Sequence, residues 1–122
     1  MKLTFEDLST QNRSRVHRWH GGDAEPWSGA DWSNAMCGES GEAANVVKKL
    51  RRIETSITQG TYHGEDTTST DRAELVAKLG NEIADVIIYA DLLAFHYGID
   101  VEAAVREKFN RVSVAQDFPE RI

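Results

Sequence analysis

Two short acidic pairs carry the chemistry that this chain of 122 residues could perform. Glu39 and Glu42 stand in GESGEAANVVKKL, and Glu82 and Asp85 stand in GNEIADVIIYADLL. A spacing of three puts both carboxylates of a pair on one face of a helix, a turn apart. Each pair is bracketed by Ala, Val, Ile, Leu or Met at helical spacing, which turns the acids toward the core side. Charged groups rarely face a core uncompensated. Four carboxylates converging from two packed helices repel one another, and a hard divalent cation held by oxygen ligands is the natural remedy. Oxygen-only ligation favours Mg2+, with Mn2+ as substitute, over zinc. The Glu-x-x-His pairs of di-iron bundles are missing. On spacing alone, solvated surface charge is an equal alternative.

The elements that must position these acids read as helices throughout. The first spans residues 4–20, capped by Thr4 with Asp7 three positions on, and its sparse apolar stripe is Phe5, Leu8, Val16 and Trp19. GGDAEPWSGAD follows as a loop. Asp31 is the expected N-cap of a second helix, from Trp32 to about Ile53, with Met36, Ala43, Val46, Val47, Leu50 and Ile53 on its buried face. Gly38 and Gly41 interrupt it and would let another helix or a ligand come close. The polar, Thr-rich stretch 54–70 reads as a long loop, either a lid or a linker. Asp71 and Glu74 form a capping box for a third helix, expected to be the longest, ending near Tyr97 with Gly98 as its stop. Its apolar surface (Leu75, Leu79, Ile83, Val86, Ile87, Ala90, Leu93, Ala94) is too wide for one neighbour and argues for a partner subunit. Asp100 caps a fourth helix to about Val112, and the tail 113–122 is expected to be partly ordered. The fold class is therefore all-α, a single helical domain over 1–122 built as a four-helix bundle.

Composition bounds the function classes. With 14 Lys and Arg against 20 Asp and Glu, the net charge is −6, which disfavours nucleic-acid backbone binding. The one cysteine, Cys37, cannot form an internal disulfide and suits a reducing, cytoplasmic setting. No apolar run is long enough to span a bilayer, and the start MKLTFEDLSTQ does not read as a signal peptide.

GESGEAANVVKKL followed by GNEIADVIIYADLL resembles the all-α nucleoside triphosphate pyrophosphohydrolases. This MazG-like superfamily includes dCTP pyrophosphatase and phosphoribosyl-ATP pyrophosphohydrolase. Its signature, a Glu-x-x-Glu on one helix and a Glu-x-x-Asp on the next, falls on Glu39, Glu42, Glu82 and Asp85, and the likeness covers about residues 30–112. It implies Mg2+-dependent cleavage of a nucleoside triphosphate to monophosphate and pyrophosphate by a homodimer or homotetramer. All four acids would hold metal, and Glu39 would also take the proton of the attacking water. Two departures stand out. Gly38 replaces an extra Glu that many members carry, which bears on the number of metals, and the stretch between the pairs is longer than usual.

Further candidates surround this set. Tyr89, one turn past Asp85, matches the place of an aromatic in dCTP pyrophosphatase-like proteins, against the plainer reading of a half-buried core tyrosine. Lys49 lies on the side of Glu42 and could reach a phosphate, or simply face solvent. Lys78, one turn before Glu82, could pair with it. The resemblance assigns Lys108, Asn110 and Arg111 in EKFNRV to the triphosphate. Trp19 and Trp27 are base-stacking candidates, Trp32 a packing residue, and Asn12 and His20 could read base edges. His63 reads as solvated. The competing functions are phosphoribosyl-ATP hydrolysis, or a non-catalytic helical oligomer that binds nucleotide or metal.

Overall fold

A computed structural model describes residues 2–21, 27–59 and 72–122, with only the backbone described at 56–59. Its elements are α1 (Phe5–Trp19), α2 (Gly29–Gln59), α3 (Arg72–His96) and α4 (Val101–Ala115). No strand occurs among the described residues, so the fold is all-α there. No described helix is long and apolar enough to cross a membrane.

The helix starts follow local side-chain chemistry. Thr4 caps α1 in a full capping box: the Asp7 amide donates to Thr4 Oγ1 at 3.1 Å, and the Thr4 amide donates to Asp7 Oδ2 at 3.0 Å. The start of α2 corrects the expectation from sequence. Ser28, rather than Asp31, takes the capping position, and Asp31 is its partner three residues on. The Asp31 amide donates to Ser28 Oγ at 3.2 Å, and the Ser28 amide donates to Asp31 Oδ2 at 2.8 Å. Both carboxyls are held below the usual aspartate range, Asp7 chiefly by the Thr4 hydroxyl and Asp31 chiefly by the Ser28 amide. Asp100 caps α4, accepting from the Ala103 amide at 3.0 Å.

A second correction concerns length. α2 continues six residues past Ile53 to Gln59, so its 31 residues exceed the 25 of α3. The expected loop therefore loses its first part to helix. Residues 60–71, with Gly60, His63, Gly64, Thr70 and Asp71, lie outside the described residues, as do 22–26.

Helix ends are equally local. Gly98, at φ +67°, closes α3: the Ile99 amide donates to the Ala94 carbonyl at 2.9 Å and the Gly98 amide to the Phe95 carbonyl at 3.0 Å. The same pattern closes α4, with Asp117 at φ +58° in the place glycine usually takes. There the Phe118 amide reaches the Ser113 carbonyl at 2.8 Å and the Asp117 amide the Val114 carbonyl at 3.1 Å. The tail, expected to be partly ordered, turns back onto its helix. The Asn110 amide donates to the Ile122 carbonyl at 3.1 Å and its oxygen accepts from the Ile122 amide at 3.0 Å.

The chain divides into two compact units, Met1–Trp32 with Ala90–Ile122, and Ser33–Tyr89. In the second unit, Val46, Leu50 and Ile53 of α2 enclose Leu75 of α3, with Leu79 packed against them. Val47, expected on the buried face of α2, is about half exposed, as are Val76 and, within the broad apolar surface of α3, Ile83 and Ile87. In the first unit, Trp32, Leu92 and Ala94 are buried. The inward face of α1 is centred on Asn12, which is 2% exposed, with Leu8 and Val16 of the expected stripe half-buried one turn to either side; the outer members of that stripe, Phe5 and Trp19, are exposed, Trp19 by 75%. Asn12 is drawn inward by Asp91 of α3, which is 3% exposed. The Ser9 hydroxyl donates to Asp91 Oδ1, and Asn12 Nδ2 donates to Asp91 Oδ2 at 2.9 Å.

Candidate metal centre

The second unit brings the acidic pairs together. The core cluster joins α2 to α3, and the acids continue its stripes: Glu42 is one turn before Val46, and Glu82 is one turn after Leu79. Carboxylate oxygens of Glu39, Glu42 and Glu82 lie within 4.8 Å of one another. Glu39 and Glu82 are half-buried and Glu42 is exposed. Asp85, half-buried, stands outside this tight group, although its charge acts on both Glu39 and Glu82.

The electrostatics follow from the crowding. Partial burial holds the Glu39 carboxyl above the usual glutamate range, followed by the charge of Glu42, a hydrogen bond with Glu42, and the charges of Asp85 and Glu82. Glu82 is raised too, first by burial, then by a hydrogen bond with Glu42 and the charges of Glu42 and Asp85; the Lys78 cation opposes this. The Lys78–Glu82 relation expected from spacing thus acts through charge, without replacing the acid–acid contacts. Three oxygen donors, no nitrogen or sulfur, and excess negative charge suit a hard divalent cation such as Mg2+ or Mn2+. Neither Gly38 nor Gly41 is needed for a close approach by the described residues, because nothing stands within 4 Å of where a Cβ would be.

The remaining candidates are distributed as follows. Tyr89, half-buried, and Lys49, exposed, belong to the same unit as the acids. Asn12, Trp19, His20, Trp27, Lys108, Asn110 and Arg111 belong to the other. There His20, Trp27 and Trp32 form a ring cluster, with the two indoles 4.6 Å apart and the imidazole 5.7 Å from Trp27. Trp19 is exposed, and Trp32 is buried as expected. Asn12 is buried, its amide donating to Asp91 and its oxygen accepting from Arg15 Nη2 at 3.2 Å. Asn110 holds the backbone of Ile122, and Arg111 pairs with Glu107 at 2.7 Å. Lys108 borders a shallow groove with Val101, Ala104, Val105 and Phe109.

Asp91 escaped the reading of the sequence. The signal was a single acid set within the apolar run IIYADLLAF, where a charge needs a partner. No family model matches the chain, and neither a curated protein nor a solved structure matches it.

Proposed function

We propose that the chain is a Mg2+-dependent nucleoside triphosphate pyrophosphohydrolase of the MazG-like, all-α type, acting as a homodimer or homotetramer. The observation that carries this reading is the convergence of Glu39, Glu42 and Glu82 from two helices. Glu42 and Glu82, with Glu39 and Asp85 beside them, would hold the cation. When bound, it supplies neutralisation of phosphate charge and alignment of a water for in-line attack. In the reaction the water oxygen bonds to the α-phosphorus, the bond to the bridging oxygen of the β-phosphate breaks, and pyrophosphate leaves. Glu39 accepts the water's proton. Its carboxylate has a raised proton affinity, from burial first and its acidic neighbours second, which makes it a better proton acceptor than an ordinary glutamate. Tyr89 and Lys49, in the same unit, would supply contacts for sugar and phosphate.

Pyrophosphate release from a panel of nucleoside triphosphates tests the proposal. With Mg2+ present, at least one triphosphate should be cleaved to its monophosphate. Glu42→Gln, Glu82→Gln and Asp85→Asn should each abolish most turnover while helicity is kept. A panel that yields no pyrophosphate with either Mg2+ or Mn2+ would refute it.

A further inference from the structure

Away from the carboxylate set, the first unit holds a cavity of about 480 Å3 between α1, the end of α3 and the start of α4. That size lies within the ~300–1,000 Å3 common for small-molecule sites. Phe5, Phe95 and Ile99 give it apolar walls, Glu6 and Glu102 stand at it, and Asp91 reaches into its lining. Asp91 is the unusual member. It is 97% buried, yet its only described partners are the neutral Ser9 hydroxyl and Asn12 amide. A carboxylate offers about four acceptor positions, so Asp91 keeps acceptor capacity on both oxygens.

No cation stands within ion-pair distance of Asp91 among the described residues. Arg13 also lines the cavity, but its Nε donates to the Ser9 carbonyl at 3.1 Å and its guanidinium lies over the Phe95 ring at 5.0 Å. Glu102 is paired with Arg106 at 2.9 Å and Asp100 accepts from the Ala103 amide at 3.0 Å, so the lining sets four acids, Glu6, Asp91, Asp100 and Glu102, against Arg13. A buried carboxylate with no cation at ion-pair distance, in a lining whose acids outnumber its single arginine, beside aromatic and aliphatic walls, selects a positive group on an apolar body.

From this geometry we infer that the cavity binds an organic ammonium ion, its nitrogen donating to Asp91 and its apolar part lying between Phe5, Phe95 and Ile99. Binding there is separate from nucleotide hydrolysis and stands whether or not the chain hydrolyses triphosphates.

The test is a titration of the full chain with phenethylammonium, read from the methyl resonances of Ile99 and Val101, beside two shape-matched probes. These are phenethyl alcohol, which lacks the charge, and hydrocinnamate, which reverses it. Phenethylammonium should bind at least ~10-fold more tightly than either, and Asp91→Asn should remove that preference. Should Asp91→Asn not fold, Ile99→Trp, which fills the cavity without touching the Ser9–Asn12–Asp91 network, should abolish binding. No saturable shift with phenethylammonium, equal affinity for the alcohol or the acid, or undiminished binding in Ile99→Trp would overturn the inference.

Discussion

Leu75→Ala should separate the packing that positions the acids from the acids themselves. Leu75 is 1% exposed and lies among Val46, Leu50 and Ile53, about two turns before Glu82 on the same helix. Truncation deletes three buried carbons, worth about 2.4 kcal/mol at ~0.8 kcal/mol each. A residual void of ~50 Å3 at about 24 cal/mol per Å3 adds roughly 1.2 kcal/mol. The expected loss is therefore about 3–4 kcal/mol, near the middle of the range for Leu→Ala in cores.

Urea unfolding followed by circular dichroism measures this loss, with two controls on the same pair of helices. Leu79→Ala, at a partly buried position, should cost less, and Val47→Ala, at a position 48% exposed, less than about 0.5 kcal/mol. Leu75→Ala should also shrink the stabilisation that Mg2+ confers, since no acid has been removed but the two helices are less firmly held. A loss below about 1 kcal/mol, or a ranking in which Val47 matters as much as Leu75, would refute the assignment of the core.

Without metal, the pH dependence of stability should have two opposed parts. Asp7 and Asp31 have lowered values in the fold, so their contribution is present above the unfolded value and lost as pH falls through the folded one. Glu39 and Glu82 have raised values, so theirs is full below the unfolded value and lost as pH rises through the folded one. The Mg2+-induced rise in Tm should accordingly grow from mildly acidic to neutral pH and weaken in Glu39→Gln; a rise independent of pH would contradict this. At the two left-handed positions the signs should differ. Gly98→Ala should cost about 1–2 kcal/mol from conformation alone, since nothing stands within 4 Å of an added Cβ, and Asp117→Gly should be neutral or stabilising by up to about 1 kcal/mol. Thermal unfolding that gives both variants the same sign would count against the helix-end geometry. Light scattering should give a dimer or tetramer mass, because Val76, Ile83 and Ile87 leave apolar surface on α3. A monomer mass at micromolar concentration would argue against assembly.

What could be read from the sequence was what neighbouring residues decide. The Thr4–Asp7 box, the Asp100 cap and the Gly98 stop each depend on a few consecutive residues, and each stands where the spacing placed it. At Ser28 and Asp31, two good capping residues compete three positions apart. The reciprocal bonds decide for the first, which choosing the nearer cap to the apolar run overlooked. The stretch ETSITQ has poor helix propensity, yet α2 runs through it. Extending an existing helix adds a hydrogen bond per residue fixed without repeating the cost of nucleation. Asp91 could not be placed from local pattern because its partners lie 79 and 82 residues away. Spacing likewise gave the faces of the four acids but not the reach of each side chain. That is why three gather tightly and Asp85 acts from farther off.

The contrast between these acids and the others on the chain bears most on the metal reading. Glu54, Glu102 and Glu107 are exposed and each meets an arginine, at 3.5, 2.9 and 2.7 Å. Asp7, Asp31 and Asp100 receive backbone amides at helix starts, where negative charge is favoured. Glu39 and Glu82 have neither kind of support. They lean on Glu42 and feel Asp85, with Lys78 the one cation moderating Glu82. Such crowding costs stability wherever no cation is present, and the adjoining Val46–Leu50–Ile53–Leu75 core holds the helices together against it. A bound divalent cation would turn the same repulsion into attraction, because every oxygen that opposed its neighbours would become a donor to one ion. On this argument the acids and the core beside them form one device: the apolar part of the stripe fixes a spacing that its acidic part could not hold alone.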